Sequence, residues 1–166
     1  TFDSPQAAAK WYGDYIQWDG TNTDWQKAVQ RNQASVKTYN FSMSGGSENT
    51  SFRFGGSYYE NKPLVLNSKF NRLSVNTAID HKISDKFTFG FNGNFTNVDR
   101  SSVDDGGAYR NPWNTRWTSP PVYKIYNEDG SYNQDNLGEG NSNFNPVAIL
   151  NNDFTKGDIQ TYLASI

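Results

Sequence analysis

One stretch constrains this chain more than any other: "KFTFGFNGNFT", Lys86 to Thr96. Phe87, Phe89, Phe91, Gly93 and Phe95 hold the odd positions; Thr88, Gly90, Asn92, Asn94 and Thr96 hold the even ones. A period of two sends successive side chains to opposite faces, as a strand does and a helix does not. The stretch is a strand with an aromatic face and a small, polar face. In a soluble sheet the phenylalanines are core and the polar face meets water. In a membrane barrel the phenylalanines meet lipid and the polar face lines a lumen. That choice decides fold and function together.

Three preceding segments alternate in the same way. In "KTYNFSMSG", Tyr39, Phe41 and Met43 oppose Thr38, Asn40, Ser42 and Ser44. In "TSFRFGGSYY", Phe52, Phe54, Gly56 and Tyr58 oppose Ser51, Arg53, Gly55, Ser57 and Tyr59. In "FNRLSVNTAIDHK", Leu73, Val75, Thr77 and Ile79 oppose Arg72, Ser74, Asn76, Ala78 and Asp80. The turns "GGSEN" (Gly45–Asn49) and "ISDK" (Ile83–Lys86) are short, and turns this short join only antiparallel neighbours. The strands therefore form an antiparallel meander, with short helical pieces at the N-terminus and in loops; the faces weighed below make the expected fold class all-β, part of a transmembrane barrel.

The flanks read differently. Residues 1–31 are helical in two short pieces and are expected to be ordinary surface helices. Ser4 caps the first, with Pro5 at its first position; "AAAKWYGDYIQW" follows, interrupted by Gly13. "TDWQKAVQR" opens with Thr23 and has Gln26 three residues on, a capping-box spacing. Beyond Val98 the alternation stops in a stretch rich in Gly, Asn, Asp, Ser and Pro, and a connection this long is rare inside a compact soluble domain. A last strand is expected near Asp158 in "DIQTYLASI". The expected division is 1–35 as an extracellular loop with short helices, 36–98 as four barrel strands, 99–157 as a long extracellular loop, and 158–166 as the start of a further strand.

Composition narrows the alternatives. The chain has 166 residues, a net charge of −2 and no cysteine. It lacks the basic stripe of a nucleic-acid binder and any thiolate site. No run approaches the ~20 apolar residues of a membrane-spanning helix, which leaves spanning strands open. Aromatic residues are 16% of the chain, whereas soluble cores are built mostly from branched aliphatics. "TFDSPQ" has neither the basic nor the apolar part of a signal peptide. The chain stops inside a strand and reads as a piece of something longer.

The polar faces favour a lumen. Exposed faces of soluble sheets usually carry Lys, Glu and Arg. Here Gly, Ser, Thr and Asn dominate, with only Arg53, Arg72 and Asp80 ionisable in the strand interiors. The central apolar faces carry no ionisable side chain, as lipid demands. Tyr39, Phe41, Phe52, Phe54, Leu73, Val75, Phe87, Phe89, Phe91 and Phe95 are the expected lipid-facing residues. The short turns fall at one end of the meander and the longer connections, Glu60–Lys69 and Asp99–Gly157, at the other. Bacterial barrels put short turns in the periplasm and long loops outside. Tyr58, Tyr59 and Phe95 then lie near the outer interface and Phe87 near the inner one.

These residues carry a resemblance. "TDWQKAV", then "YNFSMSGGSENTSFRFGGSYYEN" and "FNRLSVNTAIDHKISDKFTFGFNGNFT", resemble the barrel of SusC/RagA-type TonB-dependent outer-membrane transporters of the Bacteroidetes. "NPVA" (Asn145–Ala148) is similar too. The resemblance implies a cell outer-membrane location, a barrel filled by a plug, and energy delivered by TonB through a segment outside this chain. It also implies a SusD-like lipoprotein partner and an oligosaccharide or peptide as cargo.

Chemistry is sparse. His81 is the single histidine, and it reads as a polar residue at a strand end. Asp104-Asp105 with Gly106-Gly107 lacks the spacing of a calcium loop. Asp129-Gly130 reads as a hairpin turn, and Gly45–Ser47 is no phosphate loop. No nucleophile–base or metal-ligand constellation appears, so no catalytic residue, metal or cofactor is assigned. Trp113, Trp117, Tyr123 and Tyr126 in the long loop are the expected cargo-contacting residues, since aromatic rings stack on sugars and pack on partners. The alternative reading is a soluble or surface-displayed β-rich carbohydrate-binding module.

Overall fold

The computed structural model describes residues 4, 6–8, 10, 19–103, 107, 110–134 and 144–166. The chain divides into two compact units: a sheet unit (Gln33–Leu64, Ser68–Ser102 and Thr155–Ile166) and a loop unit (Thr1–Asn32, Val65–Asn67 and Val103–Phe154).

The sheet has five strands: β1 (Ser35–Ser47), β2 (Thr50–Lys62), β3 (Lys69–Ser84), β4 (Phe87–Val103) and β5 (Phe154–Ser165). They lie side by side in chain order. The first three pairings are antiparallel and nearly unbroken. The meander expected from the alternation is present. Its hairpins are tighter than the composition of their turns suggested. Ser47 pairs with Thr50, leaving Glu48 and Asn49 as the whole turn. Gly46 is needed there, because a Cβ on it would collide with the Thr50 carbonyl oxygen. Ser84 pairs with Phe87 around Asp85 and Lys86, with a register shift between Lys82 and Ser84.

Register sorts the side chains. Tyr39 pairs with Tyr58, Tyr58 with Leu73, and Leu73 with Asn97; two steps on, the row is Phe41, Gly56, Val75 and Phe95. The next rows are Met43, Phe54, Thr77, Gly93 and then Gly45, Phe52, Ile79, Phe91. The separate alternations of four strands thus combine into one apolar face. The other face carries rows such as Asn40, Ser57, Ser74, Thr96 and Ser42, Gly55, Asn76, Asn94.

The strands also run further than the alternation shows. β4 continues past Val98 to Val103, with Asp99, Arg100 and Ser101 still paired to Asn71, Phe70 and Lys69. Backbone pairing persists there although the side chains have ceased to alternate. β5 starts at Phe154, and its Tyr162 ring lies 4.9 Å from that of Phe95.

Besides the helical residues 6–8 and 10, the described part of the loop unit carries the short helices α1 (Trp25–Val29), α2 (Pro112–Thr118) and α3 (Pro146–Asn152). One sequence expectation is corrected in α1. Its N-cap is Asp24, whose carboxylate accepts from Lys27 N at 2.9 Å. Thr23 is drawn off by tertiary bonds instead: its hydroxyl donates to Tyr123 O and its N–H to Pro121 O. α1 is a surface helix with one side in the core: Trp25 and Val29 are buried while Gln26 and Lys27 are exposed. Near the N-terminus, Ser4 Oγ accepts from Ala7 N at 3.1 Å, a capping bond. The expected helix through Gly13 and the Asp104-Asp105-Gly106 segment lie outside the described residues.

Trp25, Val29, Val103, Val147, Ile149 and Leu150 form the core, flanked by Val65, Leu66, Tyr123, Ile125 and Tyr132. Among the described residues every buried hydrophobic side chain belongs to this unit. No described helix is long and apolar enough to cross a membrane, which says nothing of strands.

Candidate functional site

Two features offer chemistry: the apolar face of the sheet and the aromatic cluster of the loop unit. On the sheet, register brings all ten expected lipid-facing residues to one face, from Tyr39 and Phe41 on β1 to Phe87 through Phe95 on β4. Neighbouring rings meet: Tyr39 and Tyr58 at 6.4 Å, Phe41 and Phe54 edge-on at 6.3 Å. The second contact runs diagonally across Gly56, which stands opposite Phe41 and leaves room for the ring. Phe41, Phe52, Phe87 and Phe89 are all exposed among the described residues.

Charges bound this face. Beyond Tyr39 the next row is Lys37, Glu60, Asn71 and Asp99. Lys37 and Lys62 both pair with Glu60, at 3.5 and 3.2 Å, and Lys69 pairs with Asp99 at 2.6 Å. At the opposite end His81 meets Phe89 in register, and its Nδ1 lies 2.8 Å from the Thr50 hydroxyl. From Asn97 to Phe87, β4 holds no ionisable residue on this face. At about 3.3 Å per residue and the usual barrel tilt, that span is about 25 Å tall, the height of the apolar band of outer-membrane barrels.

The polar face is low and crowded with amides. A methyl on Gly55 would lie 2.5 Å from Asn76 Oδ1, and one on Gly90 3.0 Å from Asp80 Oδ1. At both positions the tip of a longer side chain from β3 lies over the glycine, and an added Cβ would push it aside. Arg72 extends over the Tyr59 ring at 5.9 Å, which meets Phe70 edge-on at 5.9 Å.

The four expected cargo-contacting aromatics do not share one surface. Trp113 and Trp117 are four residues apart on α2, hence on one helix side. Between them lies Arg116, its guanidinium carbon 3.2 Å from the Trp113 ring centre and 4.7 Å from that of Trp117. Arg116 is buried, donates to Trp113 O and is left with an unpartnered Nε. Burial lowers its pKa from the usual arginine range. Trp117 itself is exposed. Tyr123 packs against the core instead. Tyr126 bridges Tyr132 across the 127–130 turn, their rings 5.3 Å apart. Gly130 at φ +82 makes that turn the hairpin that Asp129-Gly130 suggested. Ser131 donates from both its N–H and its hydroxyl to Asp129, which lowers the carboxyl pKa.

Sequence reasoning did not assign a role to Asn145, which is 2% exposed. Its Oδ1 accepts from Val147 N and Ala148 N, capping α3, while its Nδ2 donates to Ile125 O and Asn133 O. One side chain thus ties the helix to two turns. The signal was present twice, since Asn111-Pro112 opens α2 in the same way. Asn67, in the left-handed region at φ 59, reaches the other end of α3 through Leu150 O at 3.0 Å. Arg116 was legible only as a W-x-x-R-W spacing. Among the described residues no cluster of three His, Cys, Asp or Glu could hold a metal.

No protein-family model matches the chain. It is similar, however, to three receptors of Formosa agariphila. TonB-dependent receptor P3 is 27% identical over 92% of this chain and 15% of the relative. TonB-dependent receptor P26 is 32% identical over 78% of this chain and 12% of the relative. TonB-dependent receptor P39 is 28% identical over 71% and 11%. The expected kinship with TonB-dependent receptors is borne out, and the chain spans roughly an eighth of their length, as a fragment does.

Proposed function

We propose that this stretch of a TonB-dependent receptor is wall and outer loop of an outer-membrane transporter of the SusC type. The apolar face of β1–β4 meets lipid and the Asn/Ser/Gly face lines the lumen. The observation that carries this is the register-matched, exposed aromatic face, free of charge over a bilayer-sized span. In water such a face is an aggregation surface; in hydrocarbon it is satisfied. The antiparallel meander supports the reading, because closed barrels are built of such strands.

In this reading the whole transporter takes up oligosaccharides or peptides with a SusD-like lipoprotein, driven through TonB. Trp113 and Trp117 supply a cargo or partner surface on the loop. The chain's own contribution is containment and loop display rather than catalysis.

Nitroxide labels on the full-length receptor in bilayers test the wall. A label at Phe91→Cys is expected to be relaxed by oxygen dissolved in lipid and shielded from a water-soluble nickel chelate. A label at Asn92→Cys is expected to show the reverse. Equal access of the chelate to both sites overturns the reading, and so does a full-length receptor that stays monomeric without detergent, which favours the soluble carbohydrate-binding module.

A further inference from the structure

The polar face of the sheet is neutral in its middle rows, and its charges stand towards the two ends. At the short-turn end Arg53, Asp80 and Lys82 share the face by register, and Lys82 is ion-paired to Asp85. At the end of the longer connections Arg72 stands between Tyr59 and Val98, and Arg100 stands opposite Phe70. The two arginines are therefore diagonal neighbours on β3 and β4, roughly 7–8 Å apart at the backbone. Gly157 on β5 agrees with the side that Arg100 takes: it has the opposite strand parity to Tyr162, and a Cβ on it would lie 3.3 Å from Arg100 Nε. Asp80 is the one carboxylate on this face in the described strands, and it stands eight residues from Arg72 along β3, about 26 Å away. Both arginines are exposed, and among the described residues neither has an ion-pair partner.

We propose that Arg72 and Arg100 form a subsite for the carboxylate or sulfate group of an acidic oligosaccharide entering from the long-loop end. This rests on the reading of the polar face as lumen. Two like charges set side by side repel, and an anion between them turns the repulsion into attraction. A guanidinium grips a carboxylate or sulfate through paired N–H donors. Rings order the site: Arg72 lies over Tyr59 at 5.9 Å, and Phe70 meets Tyr59 edge-on at 5.9 Å. A guanidinium held on a ring keeps its N–H edge for the ligand. Arg100 lies across the bare Gly157, where any larger residue would crowd it. The rest of the face favours a sugar over an acidic peptide. Inward from the arginines the rows present Ser57, Ser74, Asn76 and Asn94. Hydroxyls and amides both donate and accept, as sugar hydroxyls do, whereas an extended peptide is read through pockets for its alternate side chains.

The test titrates the full-length receptor in detergent against an array of hexasaccharides: uronate-bearing, sulfated and neutral. The wild-type protein is expected to bind an acidic series roughly tenfold more tightly than its neutral counterparts, and whether the uronates or the sulfates lead identifies the anion. Arg72→Gln and Arg100→Gln should each bring acidic binding close to neutral binding and leave the neutral series unchanged. Arg72→Lys keeps the charge without the fork and should retain part of the preference, which gives a result even where a glutamine variant fails to fold. No acidic preference in the wild type, or an unchanged preference in both glutamine variants, overturns the proposal. So does equal competition by a hexaglutamate peptide, or a lowered melting temperature with unchanged binding, which assigns the arginines to a contact within the receptor. Failure of the lumen reading itself registers separately, as a nitroxide at Arg72→Cys shielded from the nickel chelate.

Discussion

Leu150 and Phe89 are both large apolar side chains, and the chain handles them in opposite ways. Leu150 is 1% exposed, packed with Trp25, Val29 and Ile149 in the loop unit. Phe89 is 40% exposed on the aromatic face of the sheet. The contrast holds throughout: the loop unit owns every buried hydrophobic residue described, and the sheet owns the long run of exposed aromatics. A segment designed for water would be expected to bury both. The loop unit packs a core of its own, while the described residues of the sheet leave an aromatic face exposed. Under the proposed function lipid covers that face, and the two units then differ in the medium each needs.

Mutations that treat the two units alike break this comparison. Leu150→Ala should have the largest effect, about 2–5 kcal/mol of lost stability, from the apolar contacts removed and the cavity left behind. Thermal unfolding of the full-length receptor, followed by protease cleavage within residues 103–154, measures it. A cost below about 1 kcal/mol would mean that the loop core is not a packed core.

Phe91→Arg should come next. At the middle of the apolar band, arginine on a lipid face costs about 2–4 kcal/mol. Asn92→Arg, one residue away on the opposite face, should cost far less, because that face already holds Arg53 and Arg72. Reversible folding into lipid vesicles reads both. A larger penalty at Asn92 would reverse the assignment of faces.

These two predictions also mark what was legible in the sequence. The sheet was readable because each strand residue faces one of two environments, so Phe87 to Phe95 state their own arrangement by alternation. Even the pairing of faces between strands followed, since a one-residue slip would have put Phe54 beside polar partners. The loop unit was not readable in that way. Its core joins Trp25, Val103 and Leu150, with Leu66 packed against them, brought together from segments with no common period. The shift of the α1 cap from Thr23 to Asp24 has the same cause: the competing bonds of Thr23 go to Pro121 and Tyr123, far along the chain. Trp113, Trp117, Tyr123 and Tyr126 were chosen by residue type, and type did not distinguish exposed Trp117 from Tyr123 against the core.

The paired Asn-Pro motifs sharpen the comparison within the loop unit. Asn111 and Asn145 both cap a helix whose first residue is proline. Asn111→Ala should cost about 1 kcal/mol, the ordinary value of a lost cap. Asn145→Ala should cost about 2 kcal/mol, because the bonds to the part-buried Ile125 and Asn133 carbonyls are lost as well, Ile125 O keeping only its bond from Asn133 N. Equal losses in thermal unfolding would show that the bonds to the two turns contribute nothing beyond the cap.

The smallest effect is expected from charge on the loop unit's surface. Asp19 and Lys124 pair at 2.5 Å with both side chains about half exposed. The hydrogen bond from Lys124, with those from Thr21, holds the Asp19 carboxyl well below the usual carboxylate range. The same pair raises the Lys124 ammonium above its usual value. A depressed carboxylate stabilises above its unfolded pKa and loses that contribution as pH falls through the folded value; a raised ammonium stabilises below its unfolded pKa and loses it as pH rises through the folded value. The pair therefore supports the loop unit on a plateau through neutral pH and fades at both extremes. Solvent screening keeps the contribution small. Asp19→Asn should lower the melting temperature slightly at pH 7 in low salt, with the difference from wild type vanishing in strong acid and in molar salt. A shift as large as that of Leu150→Ala would mean that charge pairing, and not the buried cluster around Leu150, holds the loop unit together.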